Sequence, residues 1–135
     1  MEKITVLENE FVSLWFHPDE KIVHHQFHKK TIYSEVFREV LLKGTGLINE
    51  HGAHKWLSDD RLHVVLAQQD ADWSVNDWFP NTLNSGWKYW AIVQPENLIG
   101  KMEIDGFTTA YASRGLIVKY FDESSEAFEW LKNQP

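Results

Sequence analysis

The sequence predicts an α/β fold: a mixed sheet of four to five strands, helices mainly on one face, and a β-hairpin at the start. Three observations predict it. Up to residue 28 apolar and polar side chains alternate with the period of two that marks half-buried strands. From Thr31 the period lengthens to that of a helix. Thereafter short aromatic or β-branched runs alternate with single helical stretches, the pattern of parallel strands joined by crossovers. With 135 residues and no Pro/Gly-rich linker, one domain spanning 1–135 is expected, and it should bury roughly two-thirds of its unfolded surface.

The elements follow in order. Phe11, Ser13, Trp15 and His17 alternate with Val12, Leu14 and Phe16, and Ile22, His24, Gln26 and His28 alternate with Val23, His25 and Phe27. Between these two strands His17, Pro18, Asp19, Glu20 and Lys21 supply turn chemistry, so they form a hairpin, and Ile4 to Leu7 is expected to pair at an edge. Thr31 to His51 reads as one long helix capped by Thr31, with Ile32, Val36, Val40, Leu47 and Ile48 on its buried face and Gly52 as its left-handed end. Gly44 lies on that face, where a missing side chain would let the helix approach the sheet closely. Two shorter helices broken at Gly44 and Gly46 are the alternative.

A short strand through Trp56 and Leu57 comes next, and then a helix over Ser74 to Ser85, capped by Ser74 or Asn76 and interrupted by Pro80. Trp87 to Val93 is the most strand-like run in the chain, and Pro95 stops it. Leu98 to Arg114 is expected to be helical and closed by Gly115. Leu116 to Phe121 is a strand, and Ser124 or Ser125 caps a last helix that turns Ala127, Phe128 and Leu131 inward.

Composition removes several classes of function. Thirteen basic against twenty acidic residues leave a net charge of -7 with no Lys/Arg cluster, which repels a phosphate backbone, so no nucleic acid is expected as a partner. The absence of Cys excludes disulfides and thiol chemistry, and no basic segment followed by a long apolar run opens the chain, so a cytoplasmic location is expected. No run of apolar residues is long enough for a transmembrane segment. His24 and His28 share a strand face but stand about 13 Å apart, too far to share an ion. No metal site, cofactor or catalytic set is therefore expected.

The stretch from Lys55 to Ser74 holds the candidate site. A strand ending at Leu57 delivers Ser58, Asp59, Asp60 and Arg61 to its carboxyl end, and Asp70, Asp72, Trp73 and Ser74 open the following helix. In open α/β sheets ligands bind at that edge. Asp59, Asp60 and Arg61 could orient a polar ligand, or they could pin the strand-end loop through an Arg fork on an Asp carboxylate. Trp73 and Trp78 flank the polar stretch, placed either to line a pocket or to form a protein-protein patch. The candidate binding set is thus Ser58, Asp59, Asp60, Arg61, Asp72, Trp73, Ser74 and Trp78. Trp15, Trp56, Trp87, Trp90 and Trp130 are read as core.

The run Lys55 to Arg61 (Lys-Trp-Leu-Ser-Asp-Asp-Arg) and the run Gly86 to Ala91 (Gly-Trp-Lys-Tyr-Trp-Ala), in this order of elements, resemble the SpoIIAA-like family of small bacterial proteins, whose architecture is shared by STAS domains and CRAL-TRIO lipid-binding domains. The resemblance implies a SpoIIAA-like domain over nearly the whole chain. Regulatory STAS domains carry a phosphorylatable Ser in an Asp-Ser-Ser-Gly segment. The matching segment here, Asp70 to Ser74, reads Asp-Ala-Asp-Trp-Ser and lacks both the paired Ser and the Gly, which leaves Ser74 a helix-capping role. What the resemblance implies first is a non-enzymatic regulatory or protein-interaction module. A small-molecule binder for an apolar or lipid-like ligand, of the CRAL-TRIO-related type, is the second reading, and a small hydrolase-like enzyme using Asp59 and Asp60 is the third. A twofold homodimer is expected from the aromatic load and the edge strand.

Overall fold

Alternation with period two makes strands, and three of them form before the first helix. The computed structural model describes residues 3–135. β1 (Ile4–Glu8), β2 (Val12–His17) and β3 (Ile22–Phe27) are antiparallel, and the hairpin pairs Val12 with Phe27 and His17 with Ile22. β4 (Lys55–Asp59), β5 (Tyr89–Val93) and β6 (Ile117–Phe121) add on in parallel, so the sheet is mixed and its spatial order follows the chain from β1 to β6. Six strands replace the four to five expected. The edge segment at Ile4 is a full member, and every later apolar run finds a ladder partner.

The helices divide unequally between the two faces. α1 (Ser34–His51), the continuous run of α2 (Gln68–Trp73), a π-helical turn (Ser74–Trp78) and α3 (Phe79–Asn84), and α4 (Leu98–Ala112) all bury residues in one core layer. Val12, Leu14, Phe16, Val23, Trp56 and Trp90 supply the sheet side of that layer. α5 (Ser124–Lys132) alone covers the other face, where Ala127 and Leu131 meet Ile22, Leu57, Ala91 and Val93. The three helical connections from β3 to β6 advance in one direction with their helices on one side, so they share one hand. Such an order has no reversal point in the sheet. The carboxyl ends of the strands, where ligands bind in open α/β sheets, meet the helical layer here.

Local sequence accounts for most element ends, with corrections. One long α1 ends at Gly52 in the left-handed conformation (φ 60°), as expected. A Cβ on Gly44 would overlap the Trp56 ring, so the bare backbone there is what seats α1 on β4. Thr31 is not the cap: α1 starts at Ser34 behind Tyr33, and the Ser34 hydroxyl is spent on Asp70. Ser74 and Asn76 do not cap a helix either, because the helix has already begun at Gln68 and they lie inside its wide turn. There Phe79 N-H donates to the Ser74 carbonyl five residues back. That turn immediately precedes Pro80, whose ring would strike the carbonyl four residues earlier in an ordinary α-helix. Ser124 is the first residue of α5 and Glu123 occupies the capping position, without a side-chain bond. β4 runs on past Leu57 to Asp59, with all five residues buried. Among the described residues no helix is long and apolar enough to cross a membrane.

Candidate functional site

Parity along β4 decides what faces what. Trp56 and Ser58 point to the helical layer and Asp60 follows them, while Leu57 packs under α5 with Asp59 on its side of the sheet. The two adjacent carboxylates therefore leave the strand on opposite faces. Asp59 is gripped by Arg61, with Nε at 3.0 Å and Nη2 at 2.6 Å, and its Oδ1 also accepts the Arg61 backbone N-H. This is the Arg fork expected to pin the loop, and Asp59 is its acceptor. The two carboxylates that a hydrolase would pair thus have different partners, Arg61 for Asp59 and Ser58 for Asp60.

Asp60 instead borders a cavity of about 60 Å³ at the carboxyl ends of β3, β4 and β5. Its walls are rings: Trp56, Trp78, Trp87, Trp90 and Tyr111, with Phe27, Phe37 and Phe107 around them. Neighbouring indoles in this set sit 5.3 to 5.7 Å apart in tilted or edge-on contact, the arrangement aromatic quadrupoles favour. Each indole N-H is bonded to protein. Trp56 donates to His25 Nδ1 (2.9 Å), Trp78 to the Leu41 carbonyl (3.0 Å) and Thr45 Oγ1 (2.9 Å), Trp87 to the Tyr89 carbonyl (3.0 Å), and Trp90 to Ser58 Oγ (2.7 Å). The cavity consequently meets ring faces and edges, and its polar groups are few: His25, Ser58, Asp60, His63, Ser74 and the Tyr111 hydroxyl.

Those few groups are tightly placed. Ser58 Oγ donates to Asp60 Oδ2 (2.8 Å) while accepting from Trp90, so its donor and one of its two lone pairs are used. Asp60 Oδ1 lies 3.9 Å from His25 Nε2, beyond hydrogen-bond reach. Burial in apolar surroundings pushes the Asp60 carboxyl up to about 6, against the smaller opposing effects of His63 and the Ser58 hydrogen bond. His25 is driven the other way by burial, down to about 4. The Trp56 N-H occupies its Nδ1, so the neutral ring carries its proton on Nε2, and a second proton would have to displace that bond. His63 Nε2 meets Glu103 Oε1 at 2.7 Å, and the same oxygen accepts the Leu66 N-H, which fixes the loop after β4 onto α4. Asn97 completes this junction: its Oδ1 caps α4 at the Gly100 N-H and its Nδ2 donates to the His63 carbonyl.

Of the eight residues expected to form the site, four line this cavity: Ser58, Asp60, Ser74 and Trp78. Asp59 and Arg61 form their pair on the other side of the sheet. Asp72 is exposed and bonded to Gln68, one turn back on the solvent side of α2. Trp73 packs edge-on against Phe37 and under the Arg38 guanidinium, whose Nε reaches buried Asp70 at 2.9 Å, so it fastens α2 to α1. The residues missed are His25, His63, Trp56, Trp87, Trp90 and Tyr111. His25 was legible by parity, since it pairs with Ser58 across β3 and β4. Trp90 pairs in the same way with Trp56. Among the described residues no three His, Cys, Asp or Glu side chains converge on a point that could hold a metal ion. Comparison with protein-family models, curated proteins and solved structures finds no match.

Proposed function

We propose that this chain is a non-enzymatic small-molecule-binding module whose ligand occupies the cavity between β3 to β5 and the helical layer. One observation carries this reading: a buried carboxylate, Asp60, is turned into an aromatic cavity with no cationic partner in hydrogen-bond contact. A buried charge left without a partner costs stability, and an arrangement of that kind is found where binding requires it. The size of the cavity speaks against a lipid: about 60 Å³ is well below the roughly 150 Å³ at which an apolar cavity holds benzene. The ligand, or the part of it that enters, has only a few non-hydrogen atoms.

The kinship with SpoIIAA-like, STAS-related proteins stays within this proposal as an expectation, supported by the two sequence runs and by the mixed sheet with helices mainly on one face. On that kinship the cavity would serve regulation, with a cytoplasmic protein reporting its ligand to a partner. A protein-interaction role has its own support in exposed Val64 and Val65 on the loop after β4 and exposed Leu98, Ile99 and Met102 on the first turns of α4. A fragment screen read on the backbone amide and indole N-H resonances tests the main reading. Saturable shifts at Trp56, Trp78, Trp87 and Trp90 are expected. If fragments perturb only the Val65 and Leu98 region, the interaction reading takes its place.

A further inference from the structure

We propose that the cavity is an ammonium site, taking the head of a small alkylamine with Asp60 as counter-ion and the indoles as the wall against its carbon atoms. The inference rests on the cavity being a ligand site. Its physical basis is a mismatch of charge. Asp60 Oδ2 is held by Ser58, while Oδ1 has His25 Nε2 only at 3.9 Å. Arg61, the nearest cation in sequence, is committed to Asp59 on the other face of the sheet. His25 cannot supply the charge, since accepting from Trp56 keeps its ring neutral. His63 lines the same cavity but is bonded to Glu103, so the carboxylate has no cationic group in hydrogen-bond contact on its cavity side.

The rest of the wall suits a cation. With every indole N-H turned to a protein acceptor, the cavity presents π systems, and ring faces attract ammonium groups, more strongly when water is excluded. An anion would meet Asp60 with like charge. A neutral apolar guest would leave the carboxylate uncompensated, whereas an ammonium N-H supplies a charge-assisted hydrogen bond. Volume sets the upper limit near a methylammonium-sized head. A longer amine would have to leave its chain on the outer side, where Leu66 and Phe107 are only half-buried. The groups facing Asp60 are His25 from β3, His63 from the following loop with Glu103 behind it, Tyr111 from α4 and Tyr120 from β6, with the Asp59 carboxylate adjacent in the chain on the other face of the sheet.

The test is a titration of the protein with methylammonium chloride, with ethanol and acetate as neutral and anionic probes of similar size and potassium chloride as the salt control, read on the indole N-H resonances. Saturable shifts with methylammonium are expected at about pH 7.5, together with an affinity about tenfold weaker at about pH 5, where a carboxyl of pKa near 6 is mostly protonated while the amine remains charged. Asp60→Asn should weaken methylammonium binding at least about tenfold and leave the response to ethanol unchanged. If that variant does not fold, the pH comparison on the unmodified chain decides. Ethanol or acetate binding as tightly as methylammonium, or methylammonium binding that ignores pH, overturns the ammonium assignment and leaves the ligand site standing. Failure of every probe to move the indole signals overturns both.

Discussion

Asp60 is held at a cost to the fold. A carboxyl whose pKa rises from an ordinary 3.8 to about 6 on folding binds its proton more tightly in the native state. The stability this contributes is complete below about pH 4 and is lost as pH rises through 6, a difference of about 3 kcal/mol. Asp60→Asn should therefore melt at a higher temperature than the unmodified chain at about pH 8, with a gain of about 1 to 3 kcal/mol that shrinks to nothing near pH 4. Thermal melts across that range check it, and destabilisation of the variant at every pH would mean that Asp60 is structural. His24 and His25, held by burial at about 3 and about 4, act with opposite sign. Their stabilisation is present above about pH 6.5 and lost as pH falls toward 4, so acid unfolding should be steeper in the Asp60→Asn variant, where nothing offsets them. The location of this site at the end of β4 was legible in the sequence. Its composition was only half so, because a run of polar residues signals a loop, and nothing local tells that Ser58, Asp59 and Asp60 are buried, with Asp59 paired to Arg61 and Asp60 held only by Ser58.

Helices in this protein are fixed by what they touch more than by their own ends. Gly44 and Gly46, two residues apart in α1, separate the two effects. A Cβ on Gly44 runs into Trp56, whereas one on Gly46 meets nothing within 4 Å. Gly46→Ala should stabilise the fold by about 0.5 to 1 kcal/mol through helix propensity, and Gly44→Ala should cost about 1 to 3 kcal/mol through overpacking against the cavity wall. Urea unfolding of the two variants gives the comparison directly, and equal effects would contradict the packing of α1 on β4. Asn97→Ala should cost about 1 to 2 kcal/mol, since it removes both the cap of α4 and the tie to the His63 carbonyl, and amide exchange over residues 61–66 should rise. The existence of α1, α4 and α5 was legible from period. Their starts were not, because Ser and Thr near a helix start signal a cap only when no better acceptor is in reach, and Ser34 finds Asp70 on another helix.

At the scale of the molecule, the aromatic load that suggested an exposed patch is divided between fully buried rings and partly buried ones such as Trp15, Phe107 and Trp130. Among the large hydrophobic side chains that are exposed, Tyr33 is the only aromatic within the described residues, and the rest are aliphatic. The proposed twofold dimer then rests on the sheet edges, where β1 exposes Ile4 and Val6 and β6 exposes Ile117. Sedimentation at tens of micromolar should find a dimer, and Val6→Lys should return it to a monomer if β1 is the contact. A monomer in the unmodified chain would remove the proposal. Parallel pairing with connections of one hand follows from alternating helices and strands, so the class of sheet could be read from the chain. Helices mainly on one face were expected and three connections lie there, but the number of strands and the place of α5 on the other face could not be read, because no local pattern records which face a helix docks on.

The consecutive order of the strands bears on how the chain assembles as it leaves the ribosome. Each strand from β2 to β6 pairs with the one made just before it, so no segment has to wait for a distant one to emerge. The hairpin can form first, and each helix-and-strand unit can dock on a template already present. The longest reach back is made by α5, which closes over β4 and β5, and by Lys55 Nζ, which donates to the Gln134 carbonyl at 2.8 Å. Until α5 docks, Leu57 and Ala91 stand open to water on one face, so a chain that has made β6 but not yet α5 is the most exposed to chaperones and proteases.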